Sequence, residues 1–120
     1  MTFKNIYSYL KPGGKFIWSW GRHPVLPNVE NKIEPLSVIN AYFNEETQFD
    51  KTWSGSEGVY MQSRKISTWF AYLKGAGFRI VDFLEPQMQV GPNTAKNNTA
   101  YYTEMKAKHI PSTMIFVCEK

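Results

Sequence analysis

His23 is a residue that could carry proton chemistry, because of where it stands in the sequence. It follows a predicted strand that ends at Trp20, and Pro24 comes directly after it. In open α/β sheets, ligands bind just beyond the carboxyl ends of the strands. A histidine in such a place can accept or orient a proton near neutral pH. The alternative is a loop histidine whose ring is hydrogen-bonded to the backbone, and the sequence leaves both interpretations open.

Arg64 is a second candidate, and its chemistry would be the binding of an acidic group. It stands beside Ser63 at the predicted start of a helix. The alternative is a solvated arginine on the surface. Several aromatic side chains before this helix could roof a pocket or could cover the edge of a sheet. They are Tyr42, Phe43, Trp53 and Tyr60.

The sequence lacks the residue patterns that several other kinds of chemistry require. The stretch Gly75–Gly77 has no third glycine at the phosphate-binding spacing, and it follows a predicted helix instead of a strand. His23, His109 and Cys118 are far apart in the sequence, without the close spacing of a metal-ligand pair. No serine has the surroundings of a nucleophile elbow. We therefore predict no metal ion and no cofactor-binding residue in this chain.

The composition is that of a globular chain without basic clusters. Of the 120 residues, 42% are hydrophobic and 20% are charged, which is ordinary usage for a folded domain. The net charge of +4 comes from basic residues that are scattered singly, so we expect no nucleic-acid partner. No apolar run reaches the roughly 18 residues of a membrane span. The single cysteine and the lack of a visible secretory signal predict a cytoplasmic protein.

The elements that must position the candidate residues alternate between helix and strand. The first helix has apolar residues at the i, i+3, i+4, i+7 spacing, and a proline and two glycines end it. The predicted order is helix 2–10, strand 15–20, a lid-like segment 22–62, helix 63–74, strand 78–84, a short helix 99–108 and strand 113–119. Within the lid-like segment, 36–43 could form a short helix. Three strands with about two covering helices are an incomplete α/β sheet with exposed edges.

The segment from Phe3 to Phe16 resembles part of the class I S-adenosylmethionine-dependent methyltransferases. In that family a helix, a Leu-Lys-Pro-Gly-Gly turn and the fifth strand of a seven-stranded sheet follow one another, and Leu10–Gly14 has this turn. Further segments are similar in the same order; they are Ser19–Pro24, Ala41–Glu45, Leu73–Phe78 and Pro111–Lys120. The likeness to the small bacterial members covers nearly the whole chain.

The resemblance implies a fold class and a division of the domain. It implies α/β structure, namely the C-terminal half of a Rossmann-like methyltransferase sheet, with about three strands, the last one antiparallel, and covering helices. The family's first four strands and the loop that binds S-adenosylmethionine (SAM) would lie before Met1. Residues 1–120 are then a partial methyltransferase domain. SAM is the cofactor of the complete domain, and we expect this chain alone to be inactive.

The resemblance also implies roles for the candidate residues. His23 would be the catalytic proton acceptor or orienting group, and Arg64 would clamp the substrate. The residues that would line a pocket for a small-molecule substrate are Trp20, Tyr42 and Phe43. Relatives often have a histidine where this chain has Ser63, so only the role of the arginine is carried over.

A different class of function stays open at this point. The chain could be a non-catalytic module for oligomerisation or partner binding that lacks the cofactor site. Under either interpretation the exposed sheet edges predict a partner, which is the missing N-terminal half or a second copy of the chain. We expect no membrane partner.

Overall fold

The computed structural model describes residues 2–30, 37–51, 57–92, 94 and 102–120. In chain order, the helices and strands are α1 (Phe3–Tyr9), β1 (Lys15–Trp20), β2 (Val29–Glu30), β3 (Ser37–Val38), β4 (Thr47–Asp50), β5 (Val59–Gln62), α2 (Ile66–Gly75), β6 (Arg79–Leu84), α3 (Glu104–His109) and β7 (Met114–Glu119). A 3₁₀ turn, Leu26–Asn28, precedes β2. None of the helices in the described ranges combines the length and the apolar character that a bilayer crossing requires.

Three strands form the main sheet in the order β1-β7-β6, and β7 runs antiparallel to both neighbours. Met114, Phe116 and Cys118 of β7 are fully buried and alternate with half-buried residues. Because side chains alternate across a strand, these three residues point to one face of the sheet. The predicted α/β fold, with a small sheet whose last strand is antiparallel, is confirmed.

Helices α1 and α2 pack on this face and complete the core. Phe3, Ile6 and Tyr7 of α1 lie against the buried cluster, and Leu73 of α2 is fully buried within it. Their helical spacing places them on the inner sides of the two helices. The ring of Phe78, just before β6, meets the ring of Tyr7 edge-on at 5.1 Å. Aromatic contacts therefore join both helices to the sheet.

Gly77 makes the connection between α2 and β6. Its φ angle is +107°, a backbone conformation that side-chain-bearing residues rarely adopt. A Cβ atom at this position would also lie 2.9 Å from the ring of Tyr7. Glycine is therefore required here twice, for the turn and for the close approach of α1.

The outer edge of β1 and one face of the sheet are open among the described residues. Strand β1 pairs with β7 on one side only. On the face away from the helices, Ile17 is 66% exposed and Leu84 is also exposed, beside the half-buried Ile115 and Val117. An unpaired strand edge next to an apolar surface is a site where another chain segment can add.

The segment 22–62 contains two short hairpins, formed by β2 with β3 and by β4 with β5. The predicted helix over 36–43 is wrong for the part that the structure describes, because Ser37–Val38 is a strand and 39–43 is a bend and turn. Residue 36 lies outside the described ranges. Pairing of Val38 with Val29 outweighs a partial helical pattern that is only a few residues long.

Two helices begin later than the sequence predicts. Helix α2 starts at Ile66 and not at Ser63, and its N-cap residue is Lys65. Helix α3 starts at Glu104, where the hydroxyl of Thr103 accepts a hydrogen bond from the Lys106 amide at 3.1 Å. Positions 99–101 of the predicted helix 99–108 lie outside the described residues.

Candidate functional site

His23 lies just beyond the end of β1 and is 97% buried, with 3% of its surface exposed. Its backbone amide donates to the Ser112 carbonyl at 2.9 Å, which fixes the loop against the segment before β7. Its Nε2 lies 2.7 Å from Oε1 of Glu85, which follows β6. The pair therefore joins the ends of two strands of the main sheet.

The hydrogen bonds of the His23 ring indicate its tautomer, that is, which ring nitrogen carries the proton. The Val25 backbone N–H donates to Nδ1 at 3.2 Å, so the ring proton is assigned to Nε2, which donates it to Glu85. Both ring nitrogens are thus engaged within the protein. A role as proton acceptor requires the ring to release Val25, and that role stays a prediction.

Arg64 lies directly before α2, and its side chain is held from several sides. Nη1 donates to the hydroxyl of Tyr72 at 2.9 Å, and Nη2 donates to Oε1 of Gln62 at 2.5 Å. The centre of the guanidinium lies 5.1 Å from the Tyr72 ring and 6.0 Å from the Trp69 ring. A cation over aromatic faces at these distances is attracted to them.

Arg64 lines a cleft of about 690 Å³ between α1 and α2. This interhelical cleft has two cationic side chains, from Arg64 and Lys4, and aromatic walls. The aromatic walls are Phe3, Trp69 and Tyr72, and the small residues Ala71 and Gly75 of α2 also line the cleft. The volume is within the range of small-molecule sites. The interhelical cleft is thus a candidate for a ligand site.

Trp20 is connected to the interhelical cleft by its ring contact with Trp69, which lines the cleft. The two rings lie 6.2 Å apart, and Trp18 packs on Trp69 at 4.6 Å. Nε1 of Trp69 is buried and has no hydrogen-bond acceptor among the described residues. Of the predicted site residues, Arg64 and Trp20 therefore share one aromatic cluster, and no hydrogen bond, ion pair or ring contact joins His23 to it.

Tyr42 and Glu45 hold the start of α2 from a distance in the sequence. The Ile66 amide donates to the hydroxyl of Tyr42 at 3.1 Å, and the Lys65 amide donates to Oε2 of Glu45 at 3.4 Å. The Thr68 hydroxyl donates to Oε1 of Glu45 at 3.0 Å. The first amides of a helix have no partner within it, so these contacts replace a local cap. Tyr42 is thus placed beside the start of the helix that Arg64 precedes.

Phe43 has a different environment from Tyr42. Its ring lies edge-on to the Tyr42 ring at 5.6 Å, and it is 77% exposed. It is not among the described residues that pack against the core, and its exposed ring can contact a ligand or a partner. Its predicted place in the pocket wall stays a prediction.

The protein shifts the pKa values of Glu45 and Cys118. Partial burial alone would raise the pKa of Glu45, but the hydrogen bonds from Thr68 and Lys65 and the nearby Lys65 charge lower that pKa below its usual value. Lys65 Nζ lies 3.4 Å from Glu45 Oε1. Burial raises the pKa of the Cys118 thiol, so it stays protonated at neutral pH and fills core space.

A smaller hollow of about 280 Å³ lies beside Glu85, the partner of His23. Gln87, Lys108 and His109 contribute to it. The Nδ1 atom of His109 lies 2.8 Å from the Met105 carbonyl, and Lys108 Nζ lies 2.5 Å from Oε1 of Glu104. Within the described ranges no group of three His, Cys, Asp or Glu side chains is placed to hold a metal ion.

Sequence reasoning did not single out four residues that shape these sites: Lys4, Trp69, Tyr72 and Glu85. Trp69 belongs to the apolar stripe of α2 and is expected only in the core. The signal for Tyr72 is its spacing, since it lies three residues after Trp69 on a neighbouring position of the helix. The sequence has no such spacing signal for Lys4 and Glu85, because the residues that lie near them in the fold are distant in the sequence.

Solved structures with a similar fold include two from the SAM-dependent methyltransferases. One is a Listeria monocytogenes protein assigned to that class, with a TM-score of 0.69 and 24% sequence identity. The match covers 98% of the present chain and 52% of the Listeria monocytogenes chain. The other is a SAM-dependent methyltransferase from Mesorhizobium loti, with coverage of 98% and 53%, a TM-score of 0.66 and 19% identity. This chain has a partial methyltransferase fold.

The chain spans about half the length of each of these two methyltransferase structures. A scan against models of protein families finds no match, and a search of curated proteins finds none. The likeness to methyltransferases is therefore one of fold.

The charge of the interhelical cleft is positive. Arg64 and Lys4 contribute positive charge, and no carboxylate is present among the described lining residues. The cleft therefore suits a molecule with a negative group.

Proposed function

We propose that this chain forms the substrate-side half of a domain that transfers a methyl group from SAM to a small molecule. The observation that carries the proposal is the fold likeness, in which nearly the whole chain matches about half of two structures assigned to SAM-dependent methyltransferases. A complementary chain segment supplies the donor side. This chain by itself is then inactive.

The open edge of β1 supports a complementary half. Its unpaired backbone groups can hydrogen-bond to an added strand. Ile17, on the uncovered face of the same strand, is largely exposed, and burying it under an added element would stabilise the assembly. An added strand would thus extend the sheet while its helices covered the apolar face.

The chain's own residues hold the substrate in this proposal. Arg64 binds an acidic group, and the rings of Trp20, Tyr42 and Phe43 exclude water beside it. Methyl transfer depends mainly on the position of the acceptor atom. A base is needed only where that atom must lose a proton, and His23 then takes the proton on Nδ1 after its ring releases Val25.

The same open edge favours a second candidate function from a different class. A non-catalytic module would use the β1 edge to pair with a second copy or with another protein. The two candidates differ in one measurable property. Only the methyltransferase half gains donor binding when its complement is present.

Calorimetric titration with S-adenosylhomocysteine separates the two candidates. The folded chain alone should give no heat of binding. Co-expression with the part of the Listeria monocytogenes protein that this chain does not cover should yield a complex that binds one equivalent, and that part alone is the control. Stoichiometric binding by the chain alone would contradict the proposal. A stable complex without donor binding would favour the non-catalytic module.

A further inference from the structure

We propose that the interhelical cleft binds a small aromatic acid, whose carboxylate meets Arg64 and Lys4 and whose ring lies among Phe3, Trp69 and Tyr72. The inference rests on the proposed function in one respect, since it gives a chemical class to the substrate that Arg64 is proposed to hold. The binding itself needs neither SAM nor a complementary half, and it can be measured on this chain.

The guanidinium of Arg64 is already arranged for an anion. It has five N–H donors, of which the Tyr72 and Gln62 hydrogen bonds occupy two. These bonds and the stacked Tyr72 ring restrict the side chain before any ligand binds. A preorganised group loses less conformational entropy on binding. The remaining donors form the planar fork that matches a carboxylate.

The charge of the cleft favours a negative ligand. Lys4 contributes a second cation, and the described lining residues include no aspartate or glutamate. Neither Arg64 nor Lys4 forms an ion pair with a described carboxylate, whereas Arg79 and Lys108 do. A carboxylate in the interhelical cleft would therefore provide the opposite charge that these two cations lack.

The walls of the cleft favour a flat apolar body on that ligand. Phe3, Trp69 and Tyr72 present aromatic surface, with the Phe3 and Trp69 rings 6.1 Å apart. Ala71 and Gly75 also line the cleft, and nothing lies within 4 Å of a Cβ placed at Gly75. An aromatic ring in this space gains offset or edge-on contacts as well as burial.

Calorimetric titration of this chain with 2-naphthoate tests the inference, with 2-naphthamide and acetate as matched probes. We expect 2-naphthoate to bind one site, and both other probes to bind at least about tenfold more weakly, because each lacks either the charge or the ring. Equal binding of the amide would overturn the carboxylate contact. Equal binding of acetate would overturn the aromatic contact. Absence of 2-naphthoate binding to the folded chain at millimolar concentration would overturn the proposal.

Three variants locate the binding. Arg64→Gln should weaken 2-naphthoate binding at least about tenfold through loss of a charged hydrogen-bond donor. Ala71→Trp should abolish binding by filling the cleft while leaving its charge unchanged. Arg79→Gln is the control, since Arg79 lies on the opposite face of the sheet in an ion pair with Glu119. Unchanged binding by both cleft variants would contradict the proposed location.

These experiments can overturn either proposal without overturning the other. Loss of the aromatic-acid inference leaves donor binding by the complemented domain as predicted. Failure of the complement to restore donor binding leaves 2-naphthoate binding to this chain as predicted.

Discussion

At the scale of single residues, the start of α2 depends on side chains that reach it from the segment before the β4–β5 hairpin. No side chain of α2 or of its N-cap residue caps the helix. Glu45 and Tyr42 supply the acceptors instead. Arg64 immediately precedes the capped residues, so the position of its guanidinium in the interhelical cleft follows from this anchor.

Replacing Glu45 with glutamine should destabilise the protein by about 0.3–1 kcal/mol, the usual contribution of a negative charge near a helix N-terminus. The change removes the charge that faces the helix N-terminus and Lys65. Urea unfolding at pH 7 measures the effect. Glu46→Gln is the matched control, because Glu46 is exposed and its carboxylate contacts no described residue. An equal loss in both variants would show that the anchor contributes nothing specific.

The Glu45 contacts should also make stability depend on pH. The pKa of Glu45 is lowered in the folded protein, so the folded state binds its proton less readily than the unfolded state does. The stabilisation is then complete above the unfolded pKa of about 4.3 and is lost as pH falls through the lower folded pKa. The difference in unfolding free energy between wild type and Glu45→Gln should therefore shrink at acid pH. A difference that stays constant with pH would argue against an ionised Glu45 in the anchor.

At the scale of elements, α1, α2 and β6 meet at one glycine. The Tyr7 ring packs against Gly77, on the turn that leads from α2 into β6. The buried rings of the core depend on this approach, since Tyr7 and Phe78 meet edge-on next to it. The relative placement of the two helices, and with it the width of the interhelical cleft, is set at this turn.

Alanine substitutions at two neighbouring glycines should have opposite effects. Gly77→Ala should destabilise by roughly 1–3 kcal/mol, because its φ is positive and its Cβ would press on the Tyr7 ring. Gly75→Ala should stabilise by up to about 1 kcal/mol, since it lies in a helix with open space around it. The midpoint temperatures of thermal unfolding of the two variants measure these changes in stability. Similar midpoint temperatures would show that the turn tolerates a side chain.

At the scale of the whole molecule, one face of the sheet has a packed core and the other is open. Core residues Met114, Phe116 and Cys118 contact the helices. Ile17 and Leu84 on the opposite face remain exposed among the described residues. An exposed apolar surface of this kind is one that a complementary half or a second copy would cover.

Ile17→Lys should prevent association while leaving the chain folded. The side chain is exposed, so its replacement should change the unfolding free energy by less than about 0.5 kcal/mol. A lysine on an edge strand opposes pairing with another strand. Sedimentation equilibrium, alone and with the complementary part, measures association, and Lys15→Ala on the same strand is the control. Association that survives the substitution would place the interface elsewhere.

The sequence by itself determined several helices and strands of this protein, because the signals for these elements are local. The spacing of Phe3, Ile6 and Tyr7 predicts α1, and the aromatic run over 15–20 predicts β1, where the structure has it. The apolar run before Lys120 predicts a strand covered on both faces. Strand β7 is the central strand of the sheet, but among the described residues only its face with Met114, Phe116 and Cys118 is fully buried. Local periodicity and turn residues suffice for such elements.

Only the tertiary structure decided how the candidate residues are grouped, because their partners are distant in the sequence. His23 meets Glu85 across 62 positions, and Ile66 meets Tyr42 across 24. The position of Arg64 between Tyr72 and Gln62 required the helix, the hairpin and their packing together. A local pattern identifies residue types that can act. Which of them face one another depends on the packing of elements that no local pattern contains.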